Sequence, residues 1–121
     1  MRHVLVVDDN RDLADSLALL LKDEGFVARV AYDAECAWKE VRRSRPDVVI
    51  LDIALPGMGG TEFARKLRVA FRNSIVLLAF TGSILAAEQA LLRADFDAVI
   101  RKPASLEDIM HAMETAQPRM L

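Results

Sequence analysis

The sequence lacks the features that would mark a disulfide scaffold, a membrane protein or a nucleic-acid binder. Its one cysteine, Cys36, can form no internal disulfide, and no Cys/His cluster has zinc spacing, so a reducing cytoplasm suits the chain better than a secreted setting. Cys36 lies in an Ala/Trp-rich stretch, which favours a small buried apolar residue over a nucleophile. No run reaches the roughly 18 apolar residues that cross a bilayer, and the apolar start at Val4 to Val7 turns acidic too soon for a signal peptide. The 16 Lys and Arg against 18 Asp and Glu leave a formal charge of −2, too small to draw the chain onto DNA or an anionic membrane. Direct nucleic-acid and membrane partners are therefore not expected. Internal repeats, low-complexity tracts and interdomain linkers are also missing.

What is present is enough for one core. With 121 residues and 53% hydrophobic content, the chain is the size of one ordinary domain and needs no disulfide or structural metal. We expect a single domain over 1–121, with 117–121 a loose tail or the start of a linker. Short apolar runs alternate with segments of helical period, the pattern of an α/β domain with a parallel sheet. The expected strands are Val4 to Val7, Val27 to Ala31, Val48 to Leu51, Ile75 to Phe80 and Ala98 to Arg101. Most are β-branched and apolar on successive positions rather than alternating, as in strands covered on both faces.

Helices are expected between the strands. The first runs from near Asn10 to Glu24, with Leu13, Leu17 and Leu20 on one face and Gly25 as a stop. Asp33 caps a second that buries Ala37 and Val41 and ends before Pro46. A third runs from about Gly60 to Arg68 with Phe63 and Leu67 inward. Ser83 caps a fourth carrying Leu85, Leu91 and Leu92, and Ser105 caps a last one burying Leu106, Ile109 and Met113.

In an open parallel sheet, ligands bind beyond the carboxyl ends of the strands, where the strand order reverses. The residues there are Asp8 and Asp9 after the first strand, Asp52 after the third, Thr81 at the fourth and Lys102 at the fifth. Singly, each has an ordinary use as a helix cap, a turn residue or a surface charge. Together they bring three carboxylates, a hydroxyl and an ammonium to one rim. Carboxylates that close repel one another, and a hard divalent cation with oxygen ligands relieves that repulsion. Magnesium fits, with Asp9 and Asp52 as direct ligands, Asp8 acting mainly through water, and the backbone carbonyl of Ala54 as a further ligand. Asp52 is then placed as a nucleophile toward a phosphoryl group, with Lys102 and Thr81 holding phosphoryl oxygens.

These residues stand in an ordered set: Val6-Val7-Asp8-Asp9-Asn10, then Val48-Val49-Ile50-Leu51-Asp52, Leu55-Pro56-Gly57-Met58-Gly59-Gly60, Ala79-Phe80-Thr81-Gly82, and Lys102-Pro103. Over essentially the whole chain the set resembles the response regulator receiver family of two-component signalling. The resemblance implies a flavodoxin-like, doubly wound (βα)5 fold with a five-stranded parallel sheet of order 2-1-3-4-5. It also implies phosphotransfer to Asp52 from a histidine kinase or a histidine phosphotransfer protein, loss of the phosphate by hydrolysis, and a cis bond between Lys102 and Pro103. A signalling domain rather than a classical enzyme is expected, with a phosphorylation-dependent homodimer among its partners. The glycines at 57, 59 and 60 are expected to let the loop pass close over the ligands. Small residues at Ala54 and Ser83, positions that border the path of attacking water in this family, imply that the phosphate is not unusually long-lived.

Three positions depart from the family pattern. Val99 replaces the aromatic residue that swings inward on activation, and a β-branched side chain has too few rotamers to take over that motion. Ala104 replaces a frequent phenylalanine. Asp95 replaces a frequent glycine, at a point where Asp tolerates left-handed backbone. Two other functions fit the residues less well. A haloacid-dehalogenase-like phosphatase needs a second acid two residues past the nucleophile, which neither Asp52-Ile53-Ala54 nor Asp8-Asp9-Asn10 supplies. A phosphorylation-independent docking module would not need all five rim residues. Trp38 is expected to pack on the second helix, away from the rim.

Overall fold

The computed structural model describes residues 2–53, 60–72, 74–82 and 95–116. Five strands, β1 (His3–Val7), β2 (Val27–Ala31), β3 (Val48–Leu51), β4 (Val76–Thr81) and β5 (Ala98–Arg101), alternate with helices α1 (Arg11–Asp23), α2 (Ala34–Arg43), α3 (Gly60–Phe71) and α4 (Leu106–Thr115). All neighbouring strands run parallel in the order β2-β1-β3-β4-β5, which is the expected flavodoxin-like order. The fourth helix expected after Ser83 falls outside the described residues, as does the tail at 117–121.

The continuous apolar strands divide by parity, because successive side chains on a strand point to opposite faces. Leu5, Val7, Val49, Leu51, Leu77 and Ala79 face Ala37 and Val41 of α2 and Phe63, Ala64 and Leu67 of α3. Val4, Val6, Val48, Ile50, Leu78 and Phe80 face Ala14, Leu17, Ala18 and Leu21 of α1 and Ile109 and Met113 of α4. Helices thus cover both faces of the sheet. Trp38 of α2 meets Phe63 and Phe71 of α3 edge-on, with ring centroids 6.4 and 6.3 Å away, so it packs as expected.

Local signals set most helix ends. Asn10, Asp33 and Ser105 cap α1, α2 and α4, each accepting from the backbone N–H three residues on, and Ser105 with Asp108 closes a reciprocal capping box. Gly25 has φ of 97°; its N–H reaches the Lys22 carbonyl and that of Phe26 the Leu21 carbonyl, a Schellman stop. Two expectations shift. The buried face of α1 is Ala14, Leu17, Ala18 and Leu21, while Leu20 is 46% exposed, so the leucine pattern is out of phase. Helix α3 runs one turn beyond Arg68, to Phe71, and Arg72 follows with φ of 54°, the one positive φ among the described residues other than glycine.

Candidate functional site

Strand order reverses between β2 and β3 on either side of β1, and the chain leaves β1 and β3 as neighbours at the same rim. The backbone ties that rim together. The Asp8 N–H donates to the Ala31 carbonyl at 3.1 Å, the Asp52 N–H to the Val7 carbonyl at 2.9 Å, and the Lys102 N–H to the Thr81 carbonyl at 2.7 Å. Asp8 and Asp52 each follow directly on four buried apolar residues, Val4 to Val7 and Val48 to Leu51, which is why two carboxylates are buried: Asp8 is 2% exposed and Asp52 7%. Thr81 closes β4 and is also buried, while Asp9 is exposed.

One carboxylate oxygen from each of Asp8, Asp9 and Asp52 lies within 4.8 Å of the other two. The Lys102 ammonium sits 2.8 Å from Asp8 Oδ2 and 3.5 Å from Asp52 Oδ2. Three carboxylates therefore face one ammonium in a partly dehydrated pocket, where their mutual repulsion is stronger than in water. This donor set consists of hard oxygens, the kind that a divalent cation such as magnesium takes. Asn10 separates the capping role from the cluster. Its side chain accepts the Leu13 N–H at 3.1 Å while its own N–H donates to Asp8 Oδ1 at 3.0 Å, so the same residue starts α1 and orients Asp8.

The rim is fixed from below by a close approach whose partner the sequence does not name. Gly60 is the first residue of α3, the start expected for that helix, and it lies against the backbone next to Asp52. A Cβ there would stand 2.3 Å from the Ile53 Cα and 2.9 Å from the Asp52 carbonyl oxygen. Its glycine is required for contact, because any side chain would push on the residue that carries the carboxylate. The Lys102-Pro103 bond is cis, as expected. Val99 is half-buried and packs on the core that holds Phe63 and Trp38. Ala54, the loop glycines 57 and 59, and Ser83 lie outside the described residues.

Cys36 corrects an expectation. It is exposed, because α2 buries positions 34, 37 and 41 and residue 36 points off that face. It is still poorly suited to nucleophilic work, since a hydrogen bond to Asp33 and that residue's charge push its thiol pKa up. A second residue is placed in the fourth strand by its sequence but given no part in the site. Phe80 is buried beside the site, and its ring centroid lies 5.2 Å below the Lys102 ammonium. Its one sequence signal is an aromatic immediately before Thr81.

Comparison with known proteins follows this geometry. The sequence profile of the family described as response regulator receiver domain matches residues 4–114. The sensory transduction protein RegX3 of Mycolicibacterium smegmatis is 38% identical over 111 residues, covering 91% of this chain and 48% of that protein. The DNA-binding response regulator MtrA of Mycobacterium leprae is 44% identical over 77 residues, covering 64% of this chain and 34% of that protein. This chain spans about half the length of the curated relatives it matches or less. Among solved structures, the response regulator TrrA of Thermotoga maritima in complex with Mg(2+)-BeF superposes with a TM-score of 0.86 at 26% identity, covering 96% of this chain and 99% of that one. The chemotaxis response regulator CheY4 of Vibrio cholerae shares the fold, with a TM-score of 0.86 at 24% identity, covering 96% and 98% of the two chains.

Proposed function

The chain belongs to the response regulator receiver family, and from that premise we propose that Asp52 accepts a phosphoryl group from a histidine kinase or a histidine phosphotransfer protein. Receiver domains of two-component systems are signalling modules rather than classical enzymes, and this chain is one of them. The observation that carries the assignment to Asp52 is the gathering of Asp8, Asp9 and Asp52 within 4.8 Å, with Lys102 across from two of them. The Mg(2+)-BeF complex of TrrA supports the same reading.

In this proposal a carboxylate oxygen of Asp52 bonds to phosphorus as the bond from phosphorus to the donor's imidazole nitrogen breaks. Asp8, Asp9 and Asp52 would hold Mg2+, with the carbonyl of Ala54 as a further ligand. The ion would supply positive charge against which an anionic donor can approach three carboxylates. Lys102 brings an ammonium that can turn from Asp8 and Asp52 to a phosphoryl oxygen, and the Thr81 hydroxyl serves another. Phosphorylation adds about −1.5 to −2 charge and three strong acceptors at one point, which changes the surface offered to partners, a second copy of the chain included. The whole of 1–121 acts as this one domain in the cytoplasm, promoting its own phosphotransfer and dephosphorylation. Its part in signalling is the phosphoryl-accepting step, without direct contact with DNA.

Phosphotransfer from a panel of purified histidine kinases, with Asp52→Ala as control, tests the assignment. Label on the chain that disappears with Asp52→Ala is the expected result. Label that stays on the variant would place the acceptor elsewhere, and no label from any kinase or from acetyl phosphate with millimolar Mg2+ would overturn the proposal.

A further inference from the structure

We propose that Phe80 is a positioning residue that holds the Lys102 ammonium at the carboxylates through the face of its ring. The inference rests on the role given to Lys102 above and adds a residue that acts on it. Parity places the two together. Phe80 pairs with Ile100 across β4 and β5, both belong to the core on the α1 and α4 side, and Lys102 comes two residues after Ile100. A side chain at 102 therefore emerges on the face that Phe80 lines. The ring is 4% exposed, held by the core around it, and the ammonium lies over it, 5.2 Å from the centroid.

That distance is within the range in which a ring's negative face attracts a cation. The attraction matters because of what Lys102 is: a strongly hydrated charge on a flexible four-carbon stem, here with its side chain 23% exposed. Two of its directions go to Asp8 Oδ2 at 2.8 Å and Asp52 Oδ2 at 3.5 Å. Water on the remaining side would compete for the same donors. A ring there excludes water and attracts the cation without offering a hydrogen-bond acceptor, so the N–H groups stay directed at oxygens. When a phosphoryl group arrives on Asp52, the ammonium is already poised and has only to exchange one oxygen partner for another. Leucine at position 80 would fill the same place in the core without the quadrupole. Val99, on the other face of the sheet, cannot serve in this way.

The experiment replaces Phe80 with 4-fluoro-, 3,5-difluoro- and pentafluorophenylalanine, which weaken the ring's negative face at nearly constant volume, and with Leu. Two properties are read on the full chain: the rate of Asp52 phosphorylation by acetyl phosphate with Mg2+, and the proton shift of the Lys102 ε-methylene without phosphoryl donor. We expect the ε-methylene to be shifted upfield by the ring in the wild type and to return to its ordinary position in Phe80→Leu. The logarithm of the rate should fall stepwise along the fluorinated series, and Phe80→Leu should be slower by about three- to tenfold, the range a partly desolvated cation–π contact spans. The thermal midpoint serves as the measure of packing. An unshifted ε-methylene in the wild type overturns the proposal. So does a rate that is flat across the fluorinated series, or one that merely follows the thermal midpoint. A wild-type chain that takes no label on Asp52 defeats the function proposed above instead, and the ε-methylene shift still decides whether Phe80 holds Lys102.

Discussion

Both ends of the sheet bury charge, but they balance it differently. At the end where β4 begins and the chain enters β5, Arg68 reaches from α3 with each nitrogen of its guanidinium engaged. Its Nη2 lies 2.7 Å from Asp97 Oδ2, and its other nitrogens donate to the carbonyls of Asp95, Arg72 and Ile75 at 2.7 to 2.9 Å. Asp97 Oδ2 also accepts the Leu77 N–H at 2.8 Å. Among the described residues a cation here meets an anion, and its other donors meet carbonyls. At the opposite rim, among the described residues, three carboxylates gather at the Lys102 ammonium. A balanced buried pair closes a fold, whereas an excess of one sign is a standing cost unless something of the other sign arrives. The ends also share a helix, for Gly60 starts α3 beside Asp52 and Arg68 lies in its last turn.

The sharpest way to break this contrast is to remove charge at the crowded rim. Asp52→Asn should reduce phosphoryl acceptance to background while costing little stability in metal-free buffer, because it relieves repulsion among the three acids as it weakens the Lys102 contact. Magnesium should raise the wild-type thermal midpoint, by about 2.7 kcal/mol of stability at 100 times its dissociation constant, and should raise that of the variant far less. A large loss of stability in metal-free Asp52→Asn would mean that the carboxylate serves the fold and not a ligand.

The same operation at the balanced end should act in reverse. Arg68→Ala leaves Asp97 buried without its cation and should cost about 3–5 kcal/mol in urea unfolding, the usual penalty for breaking a buried pair from one side. Below the unfolding transition, magnesium affinity and phosphorylation rate should stay near wild type. A neutral Arg68→Ala would erase the distinction between the two ends.

Gly60→Ala tests the connection between the ends. The new methyl would meet the Ile53 Cα at 2.3 Å, so the Asp52–Ile53 backbone or the start of α3 must move, at a cost of about 1–3 kcal/mol. Since the displaced atoms carry Asp52, magnesium affinity should fall together with stability. This separates Gly60→Ala from Arg68→Ala, which should change stability alone.

The strands were legible because most are short runs of β-branched and aliphatic residues, and the rim was legible because acids follow two of those runs directly. Helix α1 was misread in phase. Leu19, Leu20 and Leu21 are consecutive, so polarity gives no contrast to choose among them, and the choice fell to Ala14 and Ala18, whose small side chains let the helix approach the sheet. Cys36 was misplaced because composition around it was weighed rather than its angle from Ala37. Arg68 left a trace that went unread: it follows Ala64 by four residues, a helical position otherwise given to core residues, and a cation there calls for a buried anion. Its partner, 29 residues away at Asp97, has no local signature. The contact that makes Gly60 necessary is between chain segments, and only coordinates reveal it.

The smallest effect comes from an acid that sits near the rim yet belongs with the balanced group. Asp33 follows β2 much as Asp8 follows β1, but its carboxylate accepts the Cys36 N–H at 2.7 Å and caps α2. That backbone hydrogen bond, before any other influence, holds its pKa below the ordinary 3.8. A depressed carboxylate stabilises the fold above its unfolded pKa, and the contribution is lost as pH falls through the folded value. Asp33→Ala should therefore cost about 1 kcal/mol near neutrality, and the gap from wild type should narrow once the pH drops below 3.8. Magnesium affinity should not change, because this carboxylate is already committed to a helix end. If Asp33→Ala weakened magnesium binding as much as loss of Asp9 does, position after a strand would be what matters, and the distinction between acids with a structural partner and acids gathered in excess would fail at the rim itself.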